Sequence, residues 1–225
     1  MLQRDDLLAL IARDDALSAL LASVRARLDD DPAHDLAHCL RVALWAIELG
    51  RPLGVDPREA IAAALMHDVV NVPKDHPDRH RASELSADVV RAELPAFAFG
   101  PDAVARIADA VRDHSYSRGA TPEGPLGRAL QDADRLEALG ALGLFRCIST
   151  GARMGARYFH DEDPWARDRP LDDRAYSLDH FFKKLLLLPD TMLTEGGRLE
   201  ARRRAAFLEA TIAAVAHELG VPFEG

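Results

Sequence analysis

Apolar residues recur at three- and four-residue spacing along most of the chain, as with Ile61 and Leu65, or Leu208, Ile212 and Val215. That is the period of helices with one buried face, and β-branched residues are sparse outside valine. The pattern predicts helices over residues 3–13, 15–29, 35–50, 57–68, 82–93, 102–114, 124–138, 140–150, 174–187 and 198–219. Turn residues separate them: Gly50 to Gly54, Pro73 to Pro77, Gly119 to Pro125, and Pro164 to Pro170. The expectation is an all-α fold of about ten helices, a single domain over 1–225 with its core at about 15–220. Two long irregular stretches, 69–81 and 151–173, are read either as loops over a substrate or as surface insertions.

Composition narrows the function classes. With 225 residues, 48% hydrophobic and 29% charged, the chain carries enough apolar surface for a real core. A net charge of −9 argues against a nucleic-acid coat or a binder of anionic membranes. It leaves a nucleotide substrate open, because a bound cation and a few arginines reverse the local potential. Cys39 and Cys147 are the only cysteines, which fits a reducing compartment, and both are read as small buried hydrophobes. Asp5, Asp6, Asp14 and Asp15 interrupt the first apolar stretches, and no run approaches a membrane span. A cytoplasmic protein, monomeric or homodimeric, is expected.

Four short segments concentrate ionisable residues where apolar ones are expected. In the first, His34, His38, Arg41 and Trp45 fall along one stripe of a helix beginning near Asp35, like the wall of a polar pocket. In the second, the apolar run Ala62 to Met66 ends in His67-Asp68, and a shared cation at the helix end satisfies both groups. The third places Asp132 and Asp134 around Ala133, followed by Arg135 and Glu137. The fourth is His114-Ser115 at the end of another apolar helix. Singly each has a bland reading: a helix-terminal histidine bonds to backbone, and Arg135 pairs with Asp132 or Glu137.

Together their order resembles the HD-domain superfamily of metal-dependent phosphohydrolases, whose four ligand positions match His38, His67, Asp68 and Asp134. The passage Gln131 to Gly143, Lys74 after the His-Asp pair, His114-Ser115 and the segment His180 to Leu185 resemble a branch of small stand-alone bacterial hydrolases. Some of that branch act on nucleoside triphosphates. The resemblance covers about residues 15–220. It implies a helical bundle and one divalent cation, Mn²⁺ or Mg²⁺ first, with Zn²⁺, Fe²⁺, Co²⁺ or Ni²⁺ also suited to a mixed nitrogen and oxygen donor set.

The reaction implied is hydrolysis of a phosphoester or phosphoanhydride in a nucleotide, with either pyrophosphate or orthophosphate released. Asp68, His34, Lys74 and His114 are the candidate catalytic groups, and Arg41, Lys74, His114 and Arg135 the candidate substrate contacts. Asp134 is preferred over Asp132 because the family's ligand directly precedes the basic residue and leucine. The branch more often carries an acid where Asn71 stands, which shifts a proton-transfer role there to Asp75 or to water. His180, Lys183 and Lys184 are read as closing over the pocket or as a dimer contact. Trp45, Tyr116 and Phe159 are candidates for stacking on a base. Arg202, Arg203 and Arg204 read as an exposed face. The rival reading is a metal-containing nucleotide-binding regulatory module without turnover. A third is oxidative cleavage with two irons, drawing further ligands from His76, His80 and His114.

Overall fold

The computed structural model describes residues 2–27, 35–70, 72, 80–115 and 118–223. His34, Asn71, Lys74, Asp75, His76 and Tyr116 lie outside them. Among the described residues there are ten α-helices and no named strand, only one isolated bridge between Arg157 and Tyr176. The helices are α1 (Arg4–Ala12), α2 (Asp15–Arg25), α3 (Leu36–Gly50), α4 (Pro57–Met66), α5 (Ala82–Glu93), α6 (Pro101–Asp113), α7 (Pro125–Leu136), α8 (Gly140–Arg153), α9 (Asp179–Lys183) and α10 (Glu195–Leu219). The all-α expectation holds, and no described helix is long and apolar enough to cross a membrane. The chain divides into two compact units, Met1–Asp134 and Arg135–Gly225.

In the first unit α4 is the central element. Asp56 caps it by accepting the Arg58 N–H, Pro57 occupies its first turn, and every residue from Ala60 to Met66 is buried. Small alanines let α3 approach closely along one side, while α2 and α6 pack on others. Each fully buried Ile, Leu or Met here contributes about 1.5–3 kcal/mol. Arg58 locks α4 to its surroundings: Nε donates to Asp14 Oδ2 at 2.7 Å, and the guanidinium lies 3.9 Å above the Phe99 ring. Asp14 also caps α2 by accepting from the Ala16 and Leu17 amides. Asp35 caps α3 through the His38 amide at 2.8 Å, which sets where the His38 side chain leaves the helix.

In the second unit the 25-residue α10 is capped by Thr194 and stopped by Gly220 in the left-handed region at φ 66°. The threonine cap starts this helix three residues before the expected position. Arg204 of α10 donates to the Leu136 carbonyl and pairs with Glu200 at 2.7 Å. The loop between α8 and α9 is tied to Asp179, a buried carboxylate gripped by both Nη atoms of Arg169 and by the Asp172 amide. Trp165 donates its Nε1 proton to the Val221 carbonyl at 3.1 Å.

One expected helix is corrected. The span 174–187 contains only the five-residue α9, followed by a 3₁₀ stretch, Leu185–Thr191. Asp172 holds the preceding residues in a turn by accepting the Arg174 and Ala175 amides, and Pro189 cannot continue an α-helix.

Candidate metal centre

Three short-range devices aim imidazoles at one point in the first unit. His38 sits on the first turn of α3, fixed by the Asp35 cap. His67 is the residue after α4, and its Nδ1–H donates to the Ala64 carbonyl at 2.8 Å. His114 ends α6 in the same way, Nδ1–H donating to the Val111 carbonyl at 2.6 Å. In both rings the backbone bond takes Nδ1 and turns Nε2 inward, as in histidines that bind metals. Asp68 follows His67 in a turn held by the Val69 amide on the Met66 carbonyl and the Val70 amide on the buried Ser86 hydroxyl. Asp134 comes from the last turn of α7.

The resulting distances are short. His38 Nε2 and His67 Nε2 are 3.2 Å apart. Asp134 Oδ1 is 3.5 Å from His38 Nε2 and 3.9 Å from His67 Nε2. Asp68 lies 3.5 Å from His67 Nε2 through Oδ2 and 3.7 Å from His114 Nε2 through Oδ1. Two overlapping sets, His38 with His67 and Asp134, and His67 with Asp68 and His114, each have their ligand atoms within 4.8 Å of one another. His67 is common to both.

Burial decides the charge state. His38 and His67 are fully buried, while Asp68 and Asp134 keep 22% and 26% of their side chains exposed, so the cluster opens on its carboxylate side. Burial pushes His67 down to about 4, against the opposing pull of Asp68, so its ring is neutral with a lone pair on Nε2. Burial also disfavours charge on His114, but the hydrogen bond and charge of Asp68 outweigh it and raise that ring. Burial opposes ionisation of Asp134, yet the hydrogen bond to His38 and the surrounding imidazoles hold it well below the usual carboxylate range. Once His38 and His114 give up the protons they share with Asp134 and Asp68, the inward-facing imidazole nitrogens and the two carboxylates form a set of lone pairs that a divalent cation satisfies. Mixed nitrogen and oxygen donors, with no thiolate among them, match a hard or borderline ion. Cys39, next to His38, is pushed up to about 12 by burial and then by Asp68, and stays a neutral thiol.

The family model for the HD domain matches residues 35–139, which include all five cluster residues. YpgQ, an uncharacterized protein of Bacillus subtilis (strain 168), is 34% identical over 184 residues, covering 80% of this chain and 82% of that protein. The chain belongs to the HD domain family. Its fold is similar to the crystal structure of Bacillus subtilis YpgQ in complex with ADP, with a TM-score of 0.70 and 29% identity, covering 89% of this chain and 93% of that one. An HD-superfamily hydrolase from Bacillus thuringiensis gives a TM-score of 0.67 at 27% identity, covering 91% of this chain and 97% of that one.

Of the residues singled out by sequence, His38, His67, Asp68, Asp134 and His114 come together in this HD domain. Asp132 is fully buried in α7 but belongs to neither candidate ligand set. Successive positions on a helix point about 100° apart, so two residues on it faces elsewhere. Arg41 and Trp45 lie half-buried on α3. Arg135 donates through Nη1 to the Thr191 carbonyl at 2.9 Å. In the second unit His180 and Lys183 both bond to Asp173, at 3.0 and 2.7 Å. His80 is exposed and Phe159 half-buried. Sequence reasoning cast His114 mainly as a catalytic or substrate group. Its ligand-like placement was signalled by the feature it shares with His67, an apolar helix ending in histidine.

Proposed function

We propose that this chain is a metal-dependent phosphohydrolase that cleaves a phosphoester or phosphoanhydride in a nucleotide. One observation carries the reading: Nε2 of His38 and His67 and the carboxylates of Asp68 and Asp134 converge where burial keeps His67 neutral and the hydrogen bond from His38 keeps Asp134 ionised. These four residues would hold one divalent cation, Mn²⁺ or Mg²⁺ foremost. When bound, the ion supplies electrophilic polarisation of a phosphate oxygen and acidifies water at neutral pH. Support for a nucleotide comes from YpgQ, whose crystal structure is in complex with ADP.

The chain's own groups do the rest. The backbone bond from His67 Nδ1 holds its ring against rotation, so little reorganisation accompanies the reaction. Asp68 orients the attacking water on the exposed side of the cluster. His114, 3.7 Å from Asp68, carries the proton that neutralises the departing oxygen. Arg41 and Lys74 are the proposed phosphate contacts, with His34 a further candidate proton donor.

Product analysis tests this reading. Metal-stripped protein is refilled with Mn²⁺, Mg²⁺, Zn²⁺ or Fe²⁺, offered a panel of nucleotides, and assayed separately for pyrophosphate and orthophosphate. Metal-dependent release that disappears in Asp68→Ala is expected, and the ion released identifies the bond cut. Tight nucleotide binding with no product under any metal would replace the enzyme by a regulatory module.

A further inference from the structure

The buried face of α5 carries two serines, Ser83 and Ser86, among Ala82, Ala87 and Val90. Serine is a poorer helix former than alanine and fills no more of a core, so on such a face its hydroxyl is what sets it apart. Ser86 is fully buried, and its hydroxyl accepts the Val70 N–H at 3.1 Å. The Ser83 hydroxyl, one turn earlier, is buried and has no hydrogen-bond partner among the described residues.

A helical hairpin brings this face to the metal centre. The chain reverses between Glu93 and Pro101, and Arg91 of α5 meets Asp109 of α6 at 3.5 Å. The first turns of α5 therefore lie beside the last turn of α6, which ends in His114. One hairpin thus supplies both His114 and a buried hydroxyl that reaches across to the turn after α4.

That bond matters because of where Asp68 stands. In an uninterrupted helix the Val70 N–H would donate to the Met66 carbonyl, four residues back. Here that carbonyl accepts from the Val69 amide at 3.3 Å, and the Val70 N–H goes to Ser86. Neighbouring positions of a continuing helix point about 100° apart, which would turn Asp68 away from the point His67 faces. With the helix stopped, Asp68 Oδ2 comes within 3.5 Å of His67 Nε2, and Oδ1 within 3.7 Å of His114 Nε2. We infer that Ser86 is a positioning residue: by accepting the Val70 amide it fixes the turn that aims the Asp68 carboxylate, a role that rests on the metal centre proposed above. Ser86 acts on the cation only through this turn.

Calorimetric titration of the metal-stripped full chain with Mn²⁺ tests this role, with the melting temperature of every variant recorded. Ser86→Ala is expected to weaken Mn²⁺ binding about 10-fold, the low end for a group that orients a ligand, because it acts through backbone. Ser86→Thr keeps the hydroxyl and adds a methyl to a full core, so a lower melting temperature with wild-type affinity is expected. Ser86→Cys, close in shape with a weak sulfur acceptor, is expected to lose several-fold and carries the comparison if Ser86→Ala does not fold. Ser83→Ala, on the same buried face, is expected to leave the affinity unchanged. At saturating Co²⁺, whose visible bands follow ligand number and geometry, Ser86→Ala should alter the spectrum and Ser83→Ala should not. If the wild-type chain binds both ions and Ser86→Ala matches it in affinity and spectrum, the role of Ser86 is overturned and the metal centre stands. Affinity that simply follows melting temperature across the four variants would overturn it equally. A wild-type chain that takes up neither ion would overturn the metal centre and the role of Ser86 together.

Discussion

Replacing Asp179 by alanine is expected to destabilise the second unit by about 3 kcal/mol, as when one partner is removed from a buried ion pair. The carboxylate is fully buried and accepts from Arg169 Nη1 at 2.5 Å, from Arg169 Nη2 at 2.8 Å and from the Asp172 amide at 2.7 Å. Its removal deprives the Asp172 N–H of its acceptor and leaves a guanidinium only 16% exposed with just the Asp163 carboxylate, 4.0 Å from Nε, as counter-charge. The low end of the 3–5 kcal/mol range applies because Arg169 keeps bonds to the Asp163 and Pro170 carbonyls. Asp179→Asn preserves volume and one acceptor and is expected to cost about half as much. Urea unfolding followed by Trp165 fluorescence, in a Trp45→Phe background, reports on this unit, since the Trp165 indole is anchored to Val221. The double variant Arg169→Met with Asp179→Leu is expected to recover most of the loss, because both charges leave together. If Asp179→Ala costs less than about 1 kcal/mol, the pair behaves as an exposed one and the reasoning fails.

Loading the metal-stripped chain with Mn²⁺ at a hundredfold excess over its dissociation constant is expected to add about 2.7 kcal/mol, seen as a melting temperature raised by about 5–10 °C. That gain disappears in His67→Ala if the cluster is the site. Asp14→Asn is expected to cost about 1 kcal/mol at neutral pH by losing the charge opposite Arg58 while keeping an N-cap. The Arg58 bond and the Leu17 amide hold Asp14 below its ordinary 3.8, so this stability is complete above 3.8 and fades as pH falls through the lowered value. Equilibrium unfolding of both forms from pH 7 to pH 2.5 should therefore converge at the acid end. Gly151→Ala is expected to cost about 1–3 kcal/mol by pressing on the Ser177 hydroxyl, and Ser177→Ala in the same chain should relieve part of it.

The helices were legible in the chain because local interactions make them. Apolar residues at helical spacing, the caps Asp14, Asp35 and Asp56, and the stops at Gly54 and Gly220 are all settled within a few neighbours. The segment 174–187 was not legible, because Asp172 and Asp179 draw the backbone into turns through bonds that periodicity does not register. The order His38, His67-Asp68, Asp134 pointed to a metal site, but His114 joined it only when α6 ended beside the turn after α4. A helix-terminal histidine bonds to its own backbone in either case, and only packing decides where its second nitrogen points. The same holds for α8. Its sequence reads as an amphipathic helix, and which side faces inward was decided by glycines that allow close approach, leaving Leu142 and Phe145 outside. Periodicity along a chain determines that a helix has two faces, and the neighbours it meets determine which face is buried.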